Sequence, residues 1–361
     1  MTIMNKYQMI IAVVAMAGFS ACTSEEAHTP SSPSPDGGQL PISLGSTLGD
    51  ATRGYSATNL LNGDTVYVWA DMINPASQQT ASYFNAWRLR ANGMGSLAAQ
   101  PKENGKLFPA TNSLDFYALC GNFGREVEGA RAGEPMIEDE ITELPTDVSV
   151  RHTVLSNQST PEGYYKSDLL YAVVKSQEPI SQAVVLPFKH LLSRIQVVLV
   201  AGNGMNSVDL RNAQVRLLNL KRQITFTPNR DADFSLYADL VGMLSIPAGT
   251  SQGDILMSTN SVDDSSEATA AGSTVYADAI VVPQTIEKGA NFIKVSYLGQ
   301  DTYYRIPNGD TDEPLVFESG KQYRFRLIAD RLGTGHLFDA VTVEEWGANS
   351  TTGLWFDNIT D

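Results

Sequence analysis

The chain is poor in the residues that enzymes, metal proteins and disulfide scaffolds depend on. It holds two cysteines and four histidines in 361 residues. The histidines are His28, His152, His190 and His336, and no two stand at metal-ligand spacing. His190 precedes an apolar run and reads as a structural residue. Two cysteines cannot build a disulfide framework. Cys120, in Phe116-Tyr117-Ala118-Leu119-Cys120, reads as a small buried hydrophobe. No Gly-x-Ser-x-Gly elbow, phosphate loop or dinucleotide fingerprint is present. Glu344 and Glu345 are adjacent, so on a strand they point to opposite faces and make no carboxylate pair. Asn308-Gly309-Asp310-Thr311-Asp312-Glu313 lacks the spacing of a calcium loop and reads as a hairpin tip. These absences argue against an enzyme, a metal and a cofactor. Basic charge is scarce too: 25 basic against 40 acidic side chains, a net of −15, with no basic stripe for nucleic acid. Beyond the first 21 residues no apolar run approaches the roughly 18 residues of a membrane helix.

What is present begins at the N-terminus. Lys6 precedes an apolar run from Met9 to Phe19, too short to span a bilayer as a helix. Ser20 and Ala21 then lead into Cys22. Residues 1–21 read as a signal peptide, and Phe19-Ser20-Ala21-Cys22 resembles a bacterial lipobox, which makes Cys22 the expected lipidation site. Ordinary secretion with an incidental cysteine is the other reading. Residues 22–39 are rich in Ser, Pro, Gly and Glu and cannot bury enough to fold, so they are expected to be a tether. Leu40-Pro41-Ile42-Ser43-Leu44 alternates like a strand. Ala51-Thr52-Arg53-Gly54 is a small-residue loop around one arginine, and Thr23 to Thr52 holds no other Lys or Arg. The order reads as anchor, spacer, first β-strand and protease site.

Downstream the signals are nearly all β. Thr65 to Ala70 is β-branched and aromatic and follows an Asn62-Gly63 turn. Leu114–Leu119, Leu169–Val174, Ala183–Phe188 and Leu191–Val200 are further strand-length runs. Residues 121–166 read as a long polar loop with at most short elements. After a polar break at Ala201–Ser207, Val215–Leu220 and Gln223–Thr227 read as one strand pair, and Thr250–Ser273 as a loop. Thr274–Val282, Phe292–Leu298, Asp301–Ile306, Lys321–Leu327 and Ala340–Trp346 complete the strands. Gly299-Gln300 suits a type II′ hairpin turn. Many short strands and few helical windows predict an all-β chain of two tandem β-sandwich domains, 40–203 and 204–361.

Several motifs in this order resemble one family. They are Leu107-Phe108-Pro109 with Leu114-Asp115-Phe116-Tyr117-Ala118; Ser167-Asp168-Leu169-Leu170-Tyr171-Ala172; and Phe188-Lys189-His190 through Ile195. The second half adds Val282-Pro283-Gln284-Thr285, Gly320-Lys321-Gln322-Tyr323-Arg324-Phe325 and Val341-Thr342-Val343-Glu344-Glu345-Trp346. Together they resemble the fimbrillins, the Mfa-like type V pilins of Bacteroidetes. The resemblance implies transthyretin-like sandwiches and a lipoprotein precursor carried to the outer membrane. It implies an Arg- or Lys-specific protease, here cutting between Arg53 and Gly54 and removing the first strand, 40–53. Leu40, Ile42 and Leu44, with Leu48, would fill a groove before the cut. The partners implied are other pilin subunits, which refill the groove by strand exchange at the cell surface. Leu354, Trp355, Phe356 and Ile359 form the candidate donor tail, with docking on its own domain as the alternative.

Two other functions compete. A non-polymerising surface lipoprotein could bind glycans or host ligands on exposed aromatics such as Trp87, Tyr164, Tyr165 and Trp355. A secreted β-sandwich hydrolase would need carboxylates brought together from distant loops.

Overall fold

A computed structural model describes residues 39–48, 59–74, 76–77, 79–101, 103–121, 123–125, 149–202, 204–205, 207–210, 212–229, 243–262, 274–306, 314–331, 338–346 and 354–355. The first half runs β1 (Leu44–Leu48), β2 (Thr65–Ile73), β3 (Thr80–Ala91), β4 (Ser96–Ala99), β5 (Ser113–Gly121), β6 (Phe123–Arg125), β7 (Val150–Thr153), α1 (Pro161–Lys166), β8 (Leu169–Gln177) and β9 (Val184–His190). The second continues with β10 (Ser193–Ala201), α2 (Ser207–Leu210), β11 (Gln214–Lys221), β12 (Gln223–Phe226), β13 (Leu244–Ser245), β14 (Gln252–Leu256), β15 (Ser258–Val262) and β16 (Thr274–Val281). It ends with β17 (Thr285–Ile286), β18 (Asn291–Tyr297), β19 (Gln300–Arg305), β20 (Leu315–Val316), β21 (Lys321–Ala329), β22 (Phe338–Glu345) and β23 (Leu354–Trp355). The protein is all-β, as its strand-length apolar runs predict.

Seven strands of the first half close into a ring in the order β1-β4-β3-β2-β5-β8-β9, with β9 returning to β1. Val66, Val68 and Ala70 of β2, Phe116, Ala118 and Cys120 of β5, and Leu170 and Ala172 of β8 fill its interior. The alternate residues, Tyr67 and Trp69, Tyr117 and Leu119, and Leu169 and Tyr171, face outward into a second core. That core also holds Val150 and Phe226, whose strands belong to the sheet β13-β12-β7-β6. Tyr171 meets Phe226 edge-on with ring centres 4.9 Å apart, and Trp69 stacks on Tyr117 at 5.8 Å. Burial on both faces explains why β2, β5 and β8 read as unbroken apolar runs rather than alternating ones.

The second half is a sandwich. A six-stranded sheet, β15-β16-β10-β21-β22-β23, packs on a four-stranded sheet, β14-β11-β18-β19. Ile195, Val197 and Leu199 of β10 and Phe325 and Leu327 of β21 share one core with Val215, Leu217, Ile293 and Val295 of the facing sheet. A buried ion pair crosses three neighbouring strands of the six-stranded sheet, β16, β10 and β21. Arg194 Nε and Nη2 donate to Asp278 Oδ1 at 3.0 and 2.8 Å, and Nη1 donates to Gln322. Burial opposes the Arg194 charge, yet Asp278 and Tyr164 of α1 outweigh it and raise the pKa.

The change of sheet falls at Leu191-Leu192, after which β10 pairs with β16 and β21. Leu191 and Leu192 are apolar and buried, so no turn residue marks the switch. Residues 215–220 and 223–227 are not a hairpin; β11 joins β14 and β18, whereas β12 joins β7 and β13. The expected loop 250–273 contains β14 and β15, mostly polar strands, with Ile255 of β14 buried. The hairpin of β18 and β19 turns at Leu298-Gly299 rather than at Gly299-Gln300. Both turn residues have positive φ, 48° and 74°, as a type I′ turn requires.

Candidate strand-exchange seam

β1 closes the ring by touching two neighbours. It runs parallel to β9, with Leu44 opposite Val184, Ser46 opposite Leu186 and Leu48 opposite Phe188. It runs antiparallel to β4 at Leu44–Leu97 and Gly45–Ser96. The lead-in is held as well. Ile42 N donates to Lys106 O and Phe108 N to Leu40 O, both at 2.8 Å, and Val184 N donates to Ser43 O at 2.9 Å. Ile42, Leu44 and Leu48 are 6%, 3% and 4% exposed and belong to the ring's interior, with Leu40 packed at its margin. Strand periodicity accounts for the spacing: even-numbered residues point in, and Thr47 points out to solvent. Full burial of each large aliphatic residue is worth about 2 kcal/mol, so Ile42, Leu44 and Leu48 together contribute on the order of 6 kcal/mol.

Taking β1 away would leave the edges of β4 and β9 unpaired beside Leu97, Phe108, Val184, Leu186 and Phe188. An apolar groove flanked by open backbone donors and acceptors is a receptor for another extended strand. Residues 49–64 join β1 to β2, so a cut in that stretch would sever β1 from β2 and leave every other strand of the ring unbroken. Arg53 and Gly54 belong to this connection but, like Cys22, lie outside the described residues.

Of the candidate donor tail, Leu354 and Trp355 are described as backbone, and Phe356 and Ile359 lie outside the described residues. Leu354–Trp355 forms β23, antiparallel to β22 through Val343–Leu354 and Thr342–Trp355. These two residues therefore lie at the edge of the chain's own sheet. At the root of β22, Trp346 is buried and stacks on His190 at 3.8 Å and 8°. His190 is the last residue of β9, and its Nδ1 lies 2.9 Å from Asp168 Oδ2. The second buried histidine, His152, has Nε2 2.9 Å from Ser167 O. Both histidines serve packing. Among the described residues no group of three His, Cys, Asp or Glu is placed to hold a metal. Two aromatics of the expected sugar platform are out of reach: Trp87 is in the ring's interior, and Tyr164 of α1 is buried in the shared core. Tyr165 is half-buried against the core.

Sequence reasoning missed β3 and β4, the two strands on one side of the seam. In β3 the alternation slips at Ala86, where φ is +45° and the register with β2 shifts. Phe84 and then Trp87, Leu89 and Ala91 face the interior, so neither period 2 nor 3.6 fits the run. The turn between them is legible: Asn92-Gly93-Met94-Gly95 is a cluster of turn residues.

The chain belongs to the fimbrillin-like family, whose model matches residues 52–346. It is accordingly a structural, non-enzymatic protein of surface fimbrial type. Its fold is similar to that of a candidate cell adhesion protein from Bacteroides uniformis, at TM-score 0.52 and 18% identity, covering 86% of this chain and 100% of that one. A second candidate cell adhesion protein, from Bacteroides ovatus, matches at TM-score 0.53 and 14% identity, over 87% of this chain and 100% of the other. No curated protein matches the chain.

Proposed function

We propose that this chain is an adhesive or structural subunit of a type V fimbria that assembles by strand exchange at the β4–β9 seam. In this reading the precursor is lipidated at Cys22 and carried to the outer membrane. A surface protease of Arg specificity cuts between Arg53 and Gly54. β1 leaves, and an extended segment of another subunit replaces it. The observation that carries the reading is the placement of β1: the first strand of the ring, buried on one face, and joined to the next strand by the segment that contains Arg53. The segment after Trp346 is the candidate donor that this chain offers to a neighbour. Its described residues, Leu354 and Trp355, pair with β22 as a strand, so the segment carries a strand-forming stretch. Two candidate cell adhesion proteins of the same fold support a surface role.

Intact mass and N-terminal sequencing of the protein from the cell surface, with and without a trypsin-like protease, test the reading. A chain starting at Gly54 and running as a ladder of higher-mass species is expected. A lipidated chain still starting at Cys22, and monomeric after protease treatment, would overturn it.

A further inference from the structure

We infer that the seam selects its incoming strand by a glycine, read by the Gly95 carbonyl, followed by a small residue. This inference rests on the strand-exchange reading and adds to it the chemistry of the partner segment. The Gly95 carbonyl does two things at once. It accepts a hydrogen bond from Ser46 N at 2.7 Å, and it lies 3.0 Å from where a Cβ on Gly45 would sit. The same atom therefore fixes the register of the strand and crowds any side chain at the preceding position. The carbonyl has little room to yield. Asn92 Oδ1 accepts from Met94 N at 2.8 Å and Ser96 N at 3.0 Å, and Asn92 N donates to Ser96 O. Gly95 itself has φ +92°, and a Cβ there would meet Asn59 Oδ1 at 3.2 Å and Ser46 O at 3.3 Å. The turn is thus wedged between Asn59 and β1.

The next position is limited from inside. Ser46 is 2% exposed, points into the ring between Leu44 and Leu48, and stands opposite Leu186. A large side chain there would overfill a closed interior. The full requirement on an occupant is apolar residues at the places of Leu40, Ile42, Leu44 and Leu48, glycine at 45, and a small residue at 46.

The chain's own tail does not meet it. With Gly353 in the place of Gly45, Leu354 falls where Ser46 sits, and Thr352 and Ser350 replace Leu44 and Ile42. With Gly347 there, Glu344 and Ser350 take the places of Ile42 and Leu48. Any other register puts a side chain against the Gly95 carbonyl. The seam is therefore shaped for a segment from a different subunit.

The test uses the full chain cut between β1 and β2, at Arg53 or at a protease site inserted beside it, and challenged in mild denaturant with labelled peptides. A peptide of residues 39–49 is expected to displace β1 and bind. Gly45→Val or Ser46→Leu in that peptide is expected to weaken binding by at least about tenfold, whereas Thr47→Val, on the outward face, leaves it within about twofold. A peptide of residues 347–361 is expected to bind more weakly than the 39–49 peptide. Equal binding of the Gly45→Val peptide, or of the tail peptide, would overturn the selection rule and leave strand exchange standing. Failure of the unaltered 39–49 peptide to bind the cut chain would overturn both.

Discussion

If β1 is a seated strand of the ring, Leu44 is where its hold can be measured. Its side chain is 3% exposed and lies between Leu97 of β4 and Val184 of β9, its cross-strand partners. Leu44→Ala removes buried methyl groups and leaves a cavity that two strands of a closed ring cannot collapse. The expected cost is about 3 kcal/mol, the lower middle of the range for buried leucines. Thr47→Ala, one position past Ser46 and exposed, is the matched control and should change stability by less than about 0.5 kcal/mol. Urea unfolding of the two variants measures the difference. The same loss carried into the exchange reaction should weaken a 39–49 peptide bearing Leu44→Ala by about 100-fold, since 1.4 kcal/mol corresponds to roughly a factor of ten. Equal midpoints for the two variants would show that β1 does not occupy the ring in solution, and the strand-exchange reading would lose its receptor.

Three further outcomes test the surrounding architecture. Gln158 is fully buried, and its amide acts as a missing strand for Ile280: Oε1 accepts from Ile280 N, and Nε2 donates to Ile280 O, both at 2.8 Å. Gln158→Ala orphans both backbone groups and should cost about 3 kcal/mol in chemical unfolding, with the Ile280 amide losing its protection from hydrogen exchange. Leu298 holds φ +48° at an exposed turn, so Leu298→Asn should raise stability by about 1 kcal/mol, read as an increase in melting temperature. Burial raises the phenol pKa values of Tyr164, Tyr171, Tyr304 and Tyr323, the last to about 12. The unfolded chain loses these protons near pH 10 while the folded chain keeps them, so stability should be intact below about pH 10 and fall as pH rises above it. The share of tyrosinate absorbance that belongs to these four phenols should then appear together with unfolding, not before it.

The strands with plain chemistry were legible in the sequence. β2, β5 and β8 carry continuous apolar runs, and β21 alternates so cleanly that Tyr323, Phe325 and Leu327 fall inside and their neighbours outside. The inward set of β1 was also legible, because Leu40, Ile42 and Leu44 keep period 2. What escaped was set by tertiary contacts. β11 and β12 are separated by Arg222 alone, yet they enter different sheets. Gln284 accepts from Lys221 N and donates to Lys221 O, both at 2.9 Å, capping β11 where the chain leaves it. A side chain from 63 residues away ends that strand, and no local signal announces it. The Gly45–Gly95 contact was hidden for the same reason: its meaning lies in a distance between a strand and a turn, not in either alone.

These contacts also bear on which strand of the ring the proposed exchange would replace. β2, β5 and β8 are buried on both faces, one in the ring and one in the core shared with the second half. Pulling any of them would open two cores at once. β4 is short, but it is tied to β3 by a turn whose asparagine satisfies two backbone amides. β9 is continuous with β10 through Leu191-Leu192 and is pinned at His190 under Trp346. β1 has none of these ties. It buries one face, it pairs with β4 at two positions and with β9 at five, and it is joined to β2 through one connecting segment. Under the proposed exchange the other strands would hold the seam in shape once β1 left, so the groove would be preorganised and an incoming strand would need to order only itself.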